Sequence, residues 1–288
     1  LMLRGGKGEV RDCFFQDCEA KRGGAVYAVQ DIKIGYCHFV RCCVAEYGAA
    51  VYYAGLIGKQ VRHLEYEDCY PSGAELVQYL TRKGEFKITG EYQFNASTIV
   101  DCPLEIDTGG TLVTEGANLY LNYPVYCRGS LQMKDTRVVC GYLEKGDMII
   151  LEHARQCRIH HCEFDGMMRT GAISATGTRL QITKSVFRNT KGGRAVYNAY
   201  APEIQDCIFN FCQGGAIYAQ GGNIKRCVFV NCREKSGAGI RMYGMHGVIE
   251  QCNFKRCVAE FRGGAIDRGV GHQVVRCLFE ECRPDNVH

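Results

Sequence analysis

Tyrosine, arginine and aspartate recur at one position of a repeated segment, and this is where the residue types best suit chemistry. The segment is Gly-Gly-Ala-aliphatic or a close variant. The residue after it is Tyr27, Tyr52, Ser174, Tyr197, Tyr218, Arg241 or Asp267. Stacked in order, these side chains would form one outward strip of phenol rings ending in Arg241 beside Asp267, with Arg268 next along. Such a strip suits a sugar or a peptide, because tyrosine offers a flat apolar face and a polar tip. Trp is absent, which leaves Tyr as the large polar aromatic available for stacking. In a polysaccharide lyase or hydrolase, Arg241, Asp267 and Arg268 would be the catalytic candidates. The alternative is a structural Tyr ladder closed by a surface ion pair, both common on sheets. The chain has no Asp-Asp pair and no Asn-Thr-Asp, so the close carboxylates of a hydrolase or a calcium site are missing. No cofactor and no metal is expected.

The 19 Cys are the second chemical feature. Fourteen fall into two columns: 13, 37, 162, 207, 227, 252 and 277, then 18, 42, 69, 212, 232, 257 and 282. Ser185 and Thr190 fill the same two slots in a weaker copy, which favours small buried packing groups. Disulfides between adjacent coils remain an alternative, because the strand spacing of about 4.8 Å suits a bridge. Zinc is disfavoured, since closely paired ligands on turns are the usual arrangement and these cysteines are expected on strands. His160-His161-Cys162 looks like a ligand cluster, but neighbours on a strand face opposite ways, so surface histidines are expected. The odd count leaves at least one thiol without a partner in this chain. Asn95-Ala96-Ser97 matches a glycosylation sequon.

These residues are positioned by an internal repeat. One half reads aliphatic, two variable residues, Cys, any residue, Phe, two variable residues, Cys. It occurs as Val10-Cys13-Phe15-Cys18, Ile34-Cys37-Phe39-Cys42, Ile204-Cys207-Phe209-Cys212 and Ile224-Cys227-Phe229-Cys232. Ile249-Cys252-Phe254-Cys257 and Val274-Cys277-Phe279-Cys282 continue it, and weaker copies begin at Val61, Ile159 and Ile182. The other half is the glycine segment already described. Cys-x-Phe alternates with the period of a strand, whereas Ile204 stands three before Cys207 and needs a bend to face the same way. A period of about 24 residues is too short for paired helices. The expected fold is all-β: a right-handed single-stranded parallel β-helix of about 12 coils, with a single domain over residues 1–288. Residues 9–77 and 159–282 carry regular coils, and 78–158 less regular ones.

The Gly-Gly-Ala-Ile and Phe-centred motifs resemble the repeats of chlamydial-type polymorphic outer-membrane proteins. The first is matched at Gly23 to Val26, Gly214 to Ile217 and Gly263 to Ile266. Phe209, Phe229, Phe254 and Phe279 are followed three positions later by Cys, where that family has Asn. The resemblance implies a surface-exposed adhesive passenger, and more broadly a pectin-lyase-like superfold, which by itself gives no activity.

The net charge of +4 and 23% charged residues disfavour nucleic acid as a partner. No apolar run approaches the ~20 residues of a membrane span. The chain opens on Leu1 without a leader and reads as a fragment of a longer protein. The expected role is a non-enzymatic structural or adhesive module at the cell surface or outside the cell, binding glycan or protein through an outer face. Flanking domains or partners would cover its open coil ends. A carbohydrate-active enzyme and an intracellular scaffold with reduced thiols are the alternatives.

Overall fold

The structure is a computed structural model that describes residues 1–4, 7–29, 31–55, 61–70, 76–80, 85–94, 96–143 and 145–284. The sequon residue Asn95 lies outside the described residues. Every strand pairing among them is parallel, and no helix occurs among them. One wall is a thirteen-stranded sheet; the others come from a sixteen-stranded sheet that turns a corner within the long strands Ile217–Lys225 and Ile240–Glu250. Between strands of at least three residues, Val26–Val29 to Leu278–Glu280, the first wall takes eleven steps, so the solenoid has about eleven turns.

The repeat explains the wall. Phe164, Phe187, Phe209, Phe229, Phe254 and Phe279 stack in register, with ring centroids 4.7 to 5.2 Å apart and planes within 10° of parallel. Ile173, Val196, Ile217, Ile240 and Ile266 form the ladder on the next wall. One coil cannot bury these side chains alone, so each is stabilised by the coils above and below it.

The glycine pair has a steric cause. Gly263 has φ 57°, the left-handed region that glycine enters without cost. A Cβ on Gly264 would come within 2.2 Å of the Arg283 carbonyl oxygen, so the next coil leaves no room for one.

The column cysteines other than Cys37 stand at the bends, which corrects the expectation that they lie on strands; Cys37, Cys43, Cys127, Cys140 and Cys157 are on strands. Arg226, Asn231, Gln251 and Arg256, each just before a column Cys, have φ between 51° and 55°. The chain turns there, and the Cys that follows points inward. The odd spacing of Ile224 and Cys227 demanded such a turn. Each thiol then donates to the carbonyl two residues back, as Cys227 does to Lys225 at 3.3 Å and Cys252 to Glu250 at 3.4 Å. Ser185 makes the same bond to Thr183 at 2.8 Å. The slot takes a small side chain, and Cys and Ser also satisfy their donor there. All 19 Cys are free.

The two regular arrays do not share walls. Tyr53 pairs with Gln78, and the same column continues through Thr98, Leu119 and Val138 to Phe164. The thirteen-stranded wall thus begins with glycine-segment strands and ends with Phe strands. The N-terminal Phe15 and Phe39 lie in a separate four-stranded sheet. Each motif moves over by one wall across the central coils, and the core divides there into two principal clusters.

Candidate functional site

This shift splits the expected tyrosine strip in two. Tyr27 and Tyr52 stand on the thirteen-stranded sheet, 5.2 Å apart and stacked. Ser174, Tyr197, Tyr218, Arg241 and Asp267 stand on the sixteen-stranded sheet. A single continuous strip is therefore not formed. Tyr52 faces outward as expected but is buried, packed with Val77 and Ile99 on the outer face of the sheet beside Arg22 and Glu46.

On the C-terminal wall the Tyr197 and Tyr218 rings stack at 5.4 Å, and Tyr218 stacks on Tyr243 at 4.7 Å. The Arg194 and Arg241 guanidinium groups lie 5.4 and 5.6 Å from the Tyr218 ring centre. Tyr218 is thus enclosed, whereas Tyr197 is not. Its neighbour on the preceding coil is Ser174, which has no ring to cover it, and Tyr197 stays 43% exposed.

Tyr197 lines a cleft of about 750 Å³. The wall strands form one side. The other is a two-stranded flap, Arg233–Ser236 paired with Val258–Arg262, which stands between the Phe strand and the glycine segment of its coils. Arg194 ties flap to wall. Its buried guanidinium donates to the Ile217 carbonyl at 3.2 Å and the Ser236 carbonyl at 3.4 Å, and pairs with Glu234 at 3.5 Å. Burial lowers the Arg194 pKa.

Asp147 closes the cleft. Its Oδ1 is buried without a hydrogen-bond partner, and a Cβ on Gly171 would fall 1.9 Å from that atom. Burial pushes the carboxyl up to about 6. Asp147 sits three residues before Ile150 on a central coil without the repeat motif, so no pattern in the sequence marked it.

Arg241 and Asp267 do meet, Nε to Oδ2 at 3.3 Å, and Arg262 reaches the other oxygen at 3.5 Å. Asp267 is 5% exposed and packs against the Gly237 turn, where a Cβ would lie 2.9 Å from its own. The pair braces a turn between coils. Arg268 pairs in register with Met242 and is exposed. His160 and His161 are exposed on separate partners, Thr183 at 2.8 Å and Asp135 at 2.5 Å, while Cys162 points inward. Among the described residues no cluster of three or more His, Cys, Asp or Glu could hold a metal. No helix among them is long and apolar enough to cross a membrane.

Residues 147–285 match a family described as a right handed beta helix region. With the stacked parallel strands, that match makes the solenoid a right-handed parallel β-helix. No curated protein and no solved structure matches the chain.

Proposed function

We propose that the chain is a non-enzymatic adhesive module of a larger surface or assembly protein, and that it holds a glycan in the cleft beside Tyr197. The observation that carries this reading is the Tyr197 ring, fixed on one face by Tyr218 and uncovered on the other above Ser174. A sugar ring stacked there would bury apolar C–H surface while the cleft's polar side chains bond its hydroxyls. Tyr is rigid, so little rotamer entropy is lost on binding. The likeness of the repeats to an adhesive passenger family supports the same reading.

A polysaccharide panel scored for both binding and product release tests it. Retention of one glycan without new reducing ends, weakened at least tenfold by Tyr197→Ala, is the expected result. Binding untouched by that change would remove the cleft from the function.

Asp147 favours a second reading, glycoside hydrolysis in the same cleft. A carboxyl titrating near 6 is protonated often enough to give its proton to a leaving sugar oxygen while water attacks the anomeric carbon, the proton that water loses passing to solvent and restoring the Asp147 acid. Release of product that Asp147→Asn abolishes would establish it in place of the first.

A further inference from the structure

The N-terminal half contains a groove of the same construction on a different wall. Its flap is Glu19–Arg22 paired with Cys43–Tyr47, again placed between a Phe strand and a glycine segment. Its floor is the Tyr52 and Tyr79 rings, 5.7 Å apart. A guanidinium again lies near the buried ring, with Arg22 Cζ 5.9 Å from the centre of Tyr52. That Arg again pairs with a flap carboxylate, Nε to Glu46 at 2.8 Å. The arginine, flap-glutamate and tyrosine arrangement of Arg194, Glu234 and Tyr218 is thus built twice from different positions of the repeat.

We propose that this groove, of about 520 Å³, is a second saccharide site, so that one chain bridges two glycan strands. The proposal rests on the glycan reading of the first cleft for its ligand class. Three observations point to the occupant. The groove runs along the solenoid axis, because Tyr47, Tyr79, Asp101, Asn122 and Tyr142 come from successive coils. It therefore suits a linear chain whose sugar units repeat on a scale comparable to the coil spacing of about 4.8 Å. Its one lining cation among the described residues, Arg22, pairs with Glu46, and the Asp101 carboxylate accepts from the Tyr79 hydroxyl and the Asn122 amide, the latter at 2.9 Å. That favours a neutral ligand over an ionic one. The wall's strands are paired on both sides along the groove, so its floor offers a peptide no strand edge to extend. Aromatic faces and oriented amide and carboxyl groups remain, which is the chemistry of sugar recognition. At the far end Tyr142 is 79% exposed, while its backbone N–H donates to Asn122 at 3.1 Å. An aromatic ring is thus held in solvent over the groove.

The test is calorimetric titration of the whole chain with cellohexaose and xylohexaose, both linear, neutral and β-linked. Tyr142→Ala and Tyr197→Ala truncate exposed rings, so both variants should fold as the parent does, which thermal melting checks. The expected stoichiometry is two per chain, falling to one in either variant, with at least tenfold weaker binding at the altered site. The parent should also precipitate a long β-linked glucan, and both variants should leave it in solution. A parent stoichiometry of one, abolished by Tyr197→Ala and unchanged by Tyr142→Ala, would overturn this proposal and keep the first cleft. A parent stoichiometry of one, abolished by Tyr142→Ala and unchanged by Tyr197→Ala, would keep this groove and overturn the first cleft. No binding of either hexasaccharide at millimolar concentration would overturn both.

Discussion

Tyr53 and Phe164 occupy the same register column of one wall, although Tyr53 follows a glycine segment and Phe164 belongs to the Cys-x-Phe frame. Four residues separate them in that column: Gln78, Thr98, Leu119 and Val138. None is aromatic, so the ring ladder begins afresh at Phe164. Within the ladder the four inner rings are sandwiched, and Phe209 is wholly buried between Phe187 and Phe229. Phe209→Ala should cost about 3–5 kcal/mol, as large-to-small core changes do. Val138→Ala, at the foot of the ladder, removes less volume and should cost about half as much. Urea denaturation of the two variants measures both. A loss below ~1 kcal/mol at Phe209 would contradict the ladder.

How much of this was readable in the sequence follows from the same column. The repeats gave the coil, because Phe209 and Phe229 recur with period and alternation intact. They could not give the wall. Parallel stacking fixes only which residue lies over which in neighbouring coils, and the coils between Tyr53 and Phe164 carry no motif to align. The register slips where no motif marks it, so the repeat alone puts Tyr27 and Tyr197 in one strip. Asp147 was missed for a related reason: its environment comes from Gly171 and Gly193, residues on later coils. The Cys bends were half visible, since the odd offset of Ile204 and Cys207 required a turn without saying which residue makes it.

The thiol columns are sheltered in the folded chain. Burial pushes the column thiols Cys42 and Cys162 up to about 11, whereas hydrogen bonds from neighbouring thiols lower Cys252 and Cys257. Cys13, Cys18, Cys43 and Cys277 are the partly exposed ones. A thiol reagent should therefore modify about these four on the native protein, and all 19 in denaturant without reductant. A shortfall of an even number in denaturant would reveal disulfides. Cys227→Ser should cost no more than ~1 kcal/mol, since Ser185 already fills an equivalent corner. Cys227→Leu should cost about 1–3 kcal/mol by overpacking.

Asp267 separates a brace from an active site. Its carboxylate is buried between the half-exposed Arg241 and Arg262, so Asp267→Asn loses two charge-assisted contacts and should destabilise the chain by about 1–3 kcal/mol. Arg268→Ala, on an exposed residue, should stay within about 0.5 kcal/mol. Thermal melts of the two variants check this. If both melt as the parent does while losing turnover of a glycan, the pair acts in chemistry and the brace is wrong.

Asp147 gives the chain a pH dependence whose sign is fixed by the direction of its shift. The folded-state pKa, about 6, lies above the value near 3.8 of a free carboxyl. Between these values the folded chain binds more protons than the unfolded one, so stability falls as pH rises from about 4 to about 6 and is flat beyond. Asp147→Asn cannot ionise, which removes this loss while keeping the side chain's size. The variant should be more stable than the parent at pH 7.5, on the order of 1–3 kcal/mol once residual solvent access is allowed for, and the difference should shrink toward pH 4. Urea denaturation at those two pH values reads both numbers. A parent that gains stability from pH 4 to pH 6 relative to Asp147→Asn would place a cation beside the carboxylate and reverse the assignment.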